Sequence, residues 1–278
     1  MLKVKQDTPV EPDVLAVLEQ VRAVSAALGI PYFMIGARAI DVHLHNVHGL
    51  PTFHPTNDTD FAVAVESWED FAALKSGLAG TGHFKPDARR AHRLYFDEAA
   101  PIDLVPFGGL ESPRGSIAWP PGFDQVMTVR CFAEINSAAE EIEIHAGLTL
   151  RAASVPGLML LKLFAWNDRR ERKDAWNIAS LLQSYEYVVD GARIFADEDL
   201  YKSVAYDAKK AGAALLGRDA AAIVTAPDLD AVREIIARGI ERGDLSAQIG
   251  TGLSGVYFDS RLSAAEEFLN AFLLGFKK

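Results

Sequence analysis

Residues 54–63 read HPTNDTDFAV, and this stretch decides how the first half of the chain folds. It leads two aspartates, Asp58 and Asp60, into hydrophobic residues that favour a strand. Residues i and i+2 of an extended chain point to the same side, where like charges repel unless a cation lies between them. A divalent metal ion is the usual solution, because Mg2+ takes carboxylate oxygens. The alternative is a strand that simply begins with turn residues, among which Asn, Asp and Thr are common.

The composition is that of a globular protein. The chain has 278 residues, 49% hydrophobic and 24% charged, which suits one large domain or two smaller ones. The formal net charge of -10 argues against a broad basic surface for nucleic acid. Basic groups at residues 89–93 and 169–173 could form local patches, although a solvated helix or loop face is the simpler interpretation of each.

Several features favour a reducing compartment. Cys131 is the single cysteine, which excludes an internal disulfide. The first residues lack the apolar core of a signal peptide, and the most apolar stretch is interrupted by Lys162 and is too short to cross a bilayer. We therefore expect a cytoplasmic protein without a membrane partner.

The first half of the sequence alternates strand and helix patterns. Apolar residues at helical spacing predict a helix over 12–28, with Gly29 as its stop. Ser67 and Asp70 carry the signature of a capping box. The remaining predicted elements are strands at 31–36, 59–65, 92–98 and 101–107, helices at 37–45 and 67–80, a long loop at 48–57, an irregular segment at 108–124 and a hairpin over 140–154.

After Pro156 the pattern becomes helical. One long helical pattern over 158–185 is followed by helical segments at 197–217, 226–243 and 263–276. The sequence therefore predicts an α/β (α+β) fold class, with a mixed-sheet domain at 1–153 and a helical C-terminal domain at 154–278.

Two patterns resemble known binding motifs but lack the sequence context that those motifs need. Residues 250–255, GTGLSG, match the spelling of a dinucleotide-binding turn, but too few residues follow for a second strand and its acidic residue, so a loop is predicted. His43, His45, His48 and His54 suggest zinc, yet a spacing of two on a helix splays the first two about 200° apart. Zinc-binding pairs on helices normally lie four residues apart, so surface or loop histidines are the better interpretation.

A third carboxylate and a glycine turn accompany Asp58 and Asp60. Asp103 lies at the head of a later strand, where a neighbour in the same sheet could complete a metal site. The strand at 31–36 ends in Gly36, which lets the backbone approach a ligand, and the start of the next helix offers N–H groups to phosphate. Three carboxylates beside such a turn suit a pair of Mg2+ ions and nucleotide transfer.

This order of motifs resembles the DNA polymerase beta-like nucleotidyltransferase superfamily. Its pattern is a glycine and a small residue after a strand, then Asp-x-Asp, then a lone Asp on a later strand. More closely, the sequence is similar to the AbiEii/AbiGii-type nucleotidyltransferase toxins of type IV toxin–antitoxin systems over about residues 25–185. The segments that carry this similarity are IGARAIDVHL, TNDTDFAVAV, IDLVPFG, IAWPP and LLKLFAWNDRRERKDAWNIASLL.

The resemblance implies a nucleotidyltransferase fold and an enzyme that moves a nucleoside monophosphate from an NTP to a hydroxyl group. Asp58 and Asp60 would hold Mg2+ or Mn2+, with Asp103 on the ion that activates the acceptor. The residues implied to contact phosphates are Gly36, Ala37, Arg38, Arg169 and Lys173. Lys162 and Asp174 would complete the catalytic set, with Lys162 pointing at the triphosphate and Asp174 orienting or pairing a base. The implied acceptor is RNA, a tRNA end, and the implied partner is a cognate antitoxin.

Three departures from the superfamily pattern weaken the expected nucleotide affinity. Ala37 stands where many members have Ser or a second Gly, and the interval from Gly36 to Asp58 is long. His54 and Pro55 occupy a region where relatives often carry Arg. Two alternatives therefore stay open: a small-molecule nucleotidyltransferase of the antibiotic-modifying kind, and a protein that keeps the fold but only binds a nucleotide or a partner.

The helical pattern after Pro156 predicts a polar stripe, which we define as Lys162, Trp166, Arg169 and Lys173. At 100° per residue these side chains project within about 60° of one another. The apolar residues Leu160, Phe164, Ile178 and Leu182 fall on the opposite side, facing a core. The stripe could contact RNA phosphates while Trp166 stacks on a base, or it could be a solvated face that pairs with surface acids.

Overall fold

The chain folds into two compact units: the first contains Met1–Gly49 and Pro55–Ser154, and the second contains Val155–Lys278 together with the short segment Leu50–His54. The structure is a computed structural model and describes residues 1–51 and 56–277. Within these ranges every strand belongs to the first unit, and the second unit contains only helices. This arrangement confirms the predicted fold class, a mixed α/β sheet followed by a helical C-terminal region.

The strands of the first unit form one large mixed sheet and one small hairpin. Among the described residues the large sheet has eight strands in the order β1-β9-β10-β2-β3-β6-β5-β4, and β7 pairs with β8 separately. The strands are β1 (Leu2–Lys3), β2 (Tyr32–Ile35), β3 (Thr59–Val65), β4 (Phe84–Pro86), β5 (Arg93–Phe96), β6 (Ala100–Gly108), β7 (Ser116–Trp119), β8 (Gln125–Thr128), β9 (Glu140–His145) and β10 (Leu148–Ala152).

The centre of the sheet is formed by β3 and β6, which run parallel to each other. Their fully buried residues include Phe61, Val63, Ile102 and Leu104. Strand β2 runs antiparallel to β3 on one side, and β5 runs antiparallel to β6 on the other. The beginnings of β3 and β6 therefore lie side by side at one edge of the sheet, next to the end of β2.

Helices cover the sheet of the first unit. They are α1 (Pro12–Leu28), α2 (Gly36–Asp41), α3 (Trp68–Gly80) and α4 (Phe132–Ser137), and α2 continues directly into a π-helical segment, Val42–Val47. The prediction of a capping box is confirmed, because the Asp70 backbone N–H donates to the Ser67 hydroxyl while Ser67 N–H donates to the Asp70 carboxylate. Helix α1 ends as predicted at Gly29, which takes φ 67° and donates to the carbonyls of the last turn.

The second unit is built from helices alone. They are α5 (Val155–Arg169), α6 (Arg172–Val188), α7 (Gly191–Ala196), α8 (Glu198–Ser203), α9 (Ala208–Ile223), α10 (Ala226–Glu241), α11 (Asp244–Gly252) and α12 (Arg261–Gly275). Its core includes a close crossing of α9 and α12. An added Cβ at Gly275 would lie 1.7 Å from the carbonyl oxygen of Ala214, so this crossing requires glycine.

The prediction of one long helix over 158–185 is wrong. Helix α5 ends at Arg169 and α6 begins at Arg172, with Arg170 at φ 54° between them. The predicted helix at 197–217 is also divided, because Ala205 and Tyr206 take positive φ between α8 and α9. Tertiary contacts explain the first break: the Arg170 guanidinium lies 4.2 Å from the centre of the Trp166 ring and pairs with Asp244 at 3.2 Å.

Two segments expected to be irregular have regular structure. Residues 108–124 contain strand β7, and α11 runs through Gly250 and extends to Gly252, so the GTGLSG segment is helical in its first half rather than a loop. Gly252, the second glycine of this segment, has a packing role, since a Cβ at this position would lie 2.8 Å from the indole of Trp176. The hairpin predicted over 140–154 is confirmed as β9 and β10.

No helix in residues 1–51 and 56–277 is both long and apolar enough to cross a membrane.

Candidate active site

The sheet brings two of the predicted carboxylates together. Asp60 in β3 is the register partner of Asp103 in β6, so their side chains lie on the same face of neighbouring strands, about 4.8 Å apart along the hydrogen-bonding direction. Asp58 lies two residues before Asp60, immediately ahead of β3, and its backbone N–H donates to the Thr56 hydroxyl at 3.3 Å. All three carboxylates therefore lie at one edge of the sheet.

Gly36 lies at this edge of the sheet, directly against the Asp60 side chain. Ile35 of β2 pairs with Asp60, and Gly36 follows as the first residue of α2 with φ 78°. A Cβ at Gly36 would lie 1.9 Å from Asp60 Oδ2, closer than any real contact. The glycine predicted for close approach of a ligand thus accommodates the Asp60 carboxylate itself, next to the start of the helix.

The neighbours of Gly36 have different surroundings. Ala37 is partly exposed in the first turn of α2. The Arg38 guanidinium donates to the Thr56 carbonyl at 2.5 Å and pairs with Glu11 at 3.3 Å. Arg38 therefore ties α2 to the residues just before Asp58, and its role as a phosphate ligand stays a prediction.

A guanidinium lies among the carboxylates, and the sequence analysis missed it. Arg93 in β5 is the register partner of Asp103 and donates to both of its carboxylate oxygens, each at 2.7 Å. The same guanidinium lies 3.4 Å from Asp58 Oδ2. The Asp103 carboxylate beside it raises the pKa of Arg93 further above its already high value. We refer to Asp58, Asp60, Asp103 and Arg93 as the carboxylate cluster.

Arg93 was overlooked because residues 89–93 were interpreted as a basic run on a solvated face. Strand alternation carried a signal: Arg93 and Tyr95 alternate with the apolar residues Leu94 and Phe96. Within the described chain the Arg93 side chain is only 14% exposed. His92 also approaches the cluster, with Nε2 3.9 Å from Asp103 Oδ2, and burial lowers the pKa of His92 although Asp103 opposes this effect.

The donor set of the carboxylate cluster fits a divalent cation in its chemistry. Mg2+ and Mn2+ are hard ions that prefer carboxylate oxygens, and Asp60 and Asp103 are neighbours in register. In the observed arrangement, however, the single positive charge of Arg93 is paired with Asp103 and lies 3.4 Å from Asp58. Across the described ranges no group of three or more His, Cys, Asp or Glu side chains is gathered closely enough to hold a metal ion. Metal binding by these three aspartates therefore stays a prediction.

The predicted polar stripe does not exist as a surface in the second unit. Trp166 is fully buried and its indole N–H donates to Gln248 at 3.0 Å, so it cannot stack on a base in this conformation. Lys162 is also buried, and Lys173 lies beyond the break, on α6, where it pairs with Glu171 at 3.0 Å. The opposite side was predicted correctly, since Leu160, Phe164, Ile178 and Leu182 are all buried.

Asp174 of α6 binds two cations of α5, Lys162 and Arg169. It is completely buried and accepts two hydrogen bonds from Arg169, at 2.6 and 2.7 Å, and one from Lys162 at 3.3 Å. Burial alone would raise the pKa of Asp174, but the hydrogen bonds from Arg169 and the charge of Lys162 outweigh it and lower the pKa. We refer to Lys162, Arg169 and Asp174 as the ion-pair triad.

The histidines were only partly interpreted correctly. His43 is fully buried, not on the surface, and its Nε2–H donates to the Ala153 carbonyl at 2.9 Å. Burial lowers the pKa of His43 to about 4, so it is neutral at physiological pH. His45 and His48 are partly buried in or just after the π-helical segment, and His54 lies outside the described residues.

The sequence matches no protein-family model and no curated protein. Three solved structures show a distant similarity. The antibiotic-resistance factor ANT(2'')-Ia in solution is 13% identical, with a TM-score of 0.40 over 71% of this chain and 97% of that one. Its complex with adenylyl-2''-tobramycin is 13% identical, with a TM-score of 0.40 over 68% of this chain and 97% of that one. An antigenic nucleotidyltransferase-like protein from Paracoccidioides brasiliensis is 15% identical, with a TM-score of 0.42 over 73% and 94%. Similarity at this level assigns no activity to the chain.

Proposed function

We propose that this protein is a divalent-metal-dependent nucleotidyltransferase, which moves a nucleoside monophosphate from an NTP to a hydroxyl acceptor. One observation carries the proposal: Asp60 and Asp103 are register partners on parallel strands, Asp58 immediately precedes β3, and the Gly36 turn lies against Asp60. The Arg93 guanidinium carries one positive charge beside the three carboxylates, so these four side chains keep an excess of negative charge that suits a divalent cation.

The carboxylate cluster supplies the metal-binding part of the proposal. Asp58, Asp60 and Asp103 would hold Mg2+ or Mn2+. Bound divalent cations would polarise the α-phosphate and stabilise the charge on the leaving pyrophosphate. Gly36, Ala37 and Arg38, in the first turn of α2, are the proposed phosphate contacts on this unit, since Gly36 brings the start of that helix next to Asp60.

The ion-pair triad supplies a second proposed phosphate contact. Asp174 fixes the Arg169 guanidinium by two hydrogen bonds, while the Arg169 side chain keeps 44% of its surface exposed. We assign Arg169 and the exposed Lys173 to the nucleotide phosphates and treat Lys162 and Asp174 as positioning residues. This role suits Lys162 better than direct contact with the triphosphate, because its side chain is only 9% exposed.

The acceptor has two candidates. RNA, with a cellular role as a toxin opposed by an antitoxin, is the one that the sequence resemblance implies. A small hydroxyl-bearing molecule is the second, and the structure supplies an observation that favours it: Trp166 is buried and cannot stack on an RNA base, and Lys162 is buried as well. The net charge of -10 also suits a cationic small molecule.

A labelling experiment tests the proposed reaction. The protein is incubated with Mg2+ or Mn2+ and each α-labelled NTP in turn, and both pyrophosphate release and label transfer are measured. We expect Asp60→Asn and Asp103→Asn to reduce transfer at least about a hundredfold, because each removes a ligand of the reacting centre. Asp7→Asn, at an exposed position, is the matched control and should retain full transfer.

The choice of acceptors in the same experiment separates the two candidates. Total RNA and a panel of aminoglycosides are offered in parallel reactions at low and moderate salt. Label in RNA that fades steeply with salt supports the first candidate, because each phosphate contact releases about one counterion. Label in an aminoglycoside supports the second. If no NTP yields pyrophosphate with either acceptor, or if Asp60→Asn remains fully active, the proposal is wrong.

A further inference from the structure

Arg93 contacts two carboxylates of the cluster, and its geometry is unusual for a surface ion pair. Both guanidinium contacts to Asp103 are 2.7 Å, which is the paired two-bond geometry that Arg makes with a carboxylate. The third contact, to Asp58 at 3.4 Å, is longer. One guanidinium therefore serves two carboxylates that come from β6 and from the residue ahead of β3.

The position of Arg93 follows from strand register and is not a chance rotamer of a surface residue. Arg93 opposes Asp103 directly in the antiparallel β5–β6 pair, where facing side chains lie about 5 Å apart. Strand β5 is an inner strand, with β4 on its other side. Arg93 is 14% exposed and Asp103 is 16% exposed, so water screens their attraction only weakly.

The carboxylate oxygens that Arg93 holds are those that the proposed function needs for a divalent cation. An Asp103 oxygen that accepts a short hydrogen bond from Arg93 has its charge compensated, so a cation at that oxygen meets a positive neighbour. A metal ion and the guanidinium thus compete for one set of oxygens. The Asp58 side chain is 40% exposed and its contact with Arg93 is the longer one, at 3.4 Å. A cation from solution therefore reaches the cluster first at Asp58.

From this geometry we propose that Arg93 is a resident counter-ion of the carboxylate cluster, which compensates Asp103 and partly compensates Asp58 without metal and must be displaced for a divalent cation to bind. The inference rests on the proposed function, because it assumes that these aspartates are metal ligands. As a consequence, the metal affinity of the cluster depends on the free energy needed to move Arg93 away from Asp103 as well as on the aspartates themselves.

A charge series at position 93 tests the inference through binding and stability, without an activity assay. Mn2+ is titrated by calorimetry into wild type, Arg93→Lys and Arg93→Gln, and each protein is also melted in EDTA and in excess Mn2+. We expect Arg93→Gln to bind Mn2+ about tenfold or more tighter than wild type. Arg93→Lys should be intermediate, because it keeps the charge but loses the two-bond fork. Arg89→Gln, an exposed arginine four residues away, should bind like wild type.

The melts supply the second half of the test. Without metal, Arg93→Gln should melt lower than Arg89→Gln, because Asp58 and Asp103 then lose the cation that they share. Excess Mn2+ should raise its melting temperature by more than it raises that of wild type. A folded Arg93→Gln variant that binds Mn2+ no tighter than wild type would overturn the inference while leaving the metal site intact. Absence of binding in both wild type and Arg93→Gln would overturn the inference together with the proposed function.

Discussion

The carboxylate cluster of the first unit and the ion-pair triad of the second are built from the same chemistry in opposite proportions. The cluster places two carboxylates, Asp58 and Asp103, on one guanidinium with Asp60 beside Asp103, whereas the triad places two cations around one carboxylate. Asp58 in the cluster is 40% exposed, and Asp174 in the triad is completely buried. The cluster is therefore accessible to a further cation, while the central charge of the triad is sealed from solvent.

This difference separates a binding device from a structural one. A buried carboxylate with paired donors contributes to the folded state only while its partners are present, and its removal leaves a buried partner such as Lys162 without a compensating charge. A partly exposed carboxylate can exchange one cation for another at small cost, because water solvates it during the exchange. We therefore expect substitutions in the triad to act on stability and substitutions in the cluster to act on ligand binding.

The largest expected effect is that of Asp174→Ala. Loss of this carboxylate removes the charged partner of the buried Lys162 and two hydrogen bonds from Arg169, and it should lower the free energy of unfolding by about 3–5 kcal/mol. Chemical denaturation followed by circular dichroism measures the change. Asp230→Ala is the matched control, because Asp230 also pairs with an arginine in the second unit but is 76% exposed, and it should cost less than about 1 kcal/mol. Equal losses in the two variants would contradict the sealed character of the triad.

Gly36→Ala should have the next largest effect and tests the crowding behind Asp60. The new methyl group meets Asp60 Oδ2 at a φ of 78°, so we expect a loss of about 2 kcal/mol or more. Gly29→Ala isolates the backbone cost, since Gly29 has a similar φ of 67° and nothing lies within 4 Å of its added Cβ. It should cost about 1 kcal/mol. If both substitutions cost the same, Asp60 does not hold the position described.

Lys162→Met should be milder than Asp174→Ala. Methionine keeps much of the apolar stem of lysine, and Arg169 still donates two hydrogen bonds to Asp174. We expect a loss of about 1–2 kcal/mol. An unchanged unfolding free energy, measured in the same denaturation experiment, would place Lys162 outside the triad and return it to direct nucleotide contact.

The buried His43 of the first unit, unlike the carboxylate cluster and the ion-pair triad, should make the stability of the fold depend on pH in the weakly acid range. The folded-state pKa of His43 is lowered to about 4, whereas the unfolded chain takes up this proton near pH 6.5. Unfolding therefore binds a proton, and the contribution of neutral His43 is lost as the pH falls from about 6.5 to about 4, with a slope of at most about 1.4 kcal/mol per pH unit. Groups that face His43 include Glu140 and His48.

The comparison of two histidine variants measures this slope. His43→Gln keeps a donor for the Ala153 carbonyl but cannot titrate, so its stability should depend less on pH over this window than that of wild type. His145→Gln, at an exposed histidine, should follow wild type. Parallel pH profiles for wild type and His43→Gln would contradict the assignment.

The sequence predicted those parts of the molecule that depend on local patterns. Strands β3 and β6, the capping box at Ser67 and the hairpin of β9 and β10 follow from alternation, turn residues and caps, and all are observed. The pairing of Asp60 with Asp103 needed only that β3 and β6 be neighbours in the same sheet.

The features that were missed depend on contacts between distant residues. Arg170 and Glu171 are good helix formers, so nothing local signalled the break between α5 and α6, which Trp166 and Asp244 stabilise. Burial of Trp166 depends on Gln248, which is 82 residues away. Arg93 was missed for the same reason, since only the β5–β6 register places it opposite Asp103.

The central claim, that the carboxylate cluster binds a divalent cation, is tested most directly by calorimetric titration of Mn2+ into wild type and Asp60→Asn under identical conditions. Asp60 is the appropriate position because Arg93 pairs with Asp58 and Asp103, and the Asp60→Asn variant keeps both of those carboxylates. The account predicts a saturable binding heat for wild type that is lost in a folded Asp60→Asn variant and retained in Asp7→Asn. Equal heats from wild type and Asp60→Asn, or no heat from wild type, would contradict it.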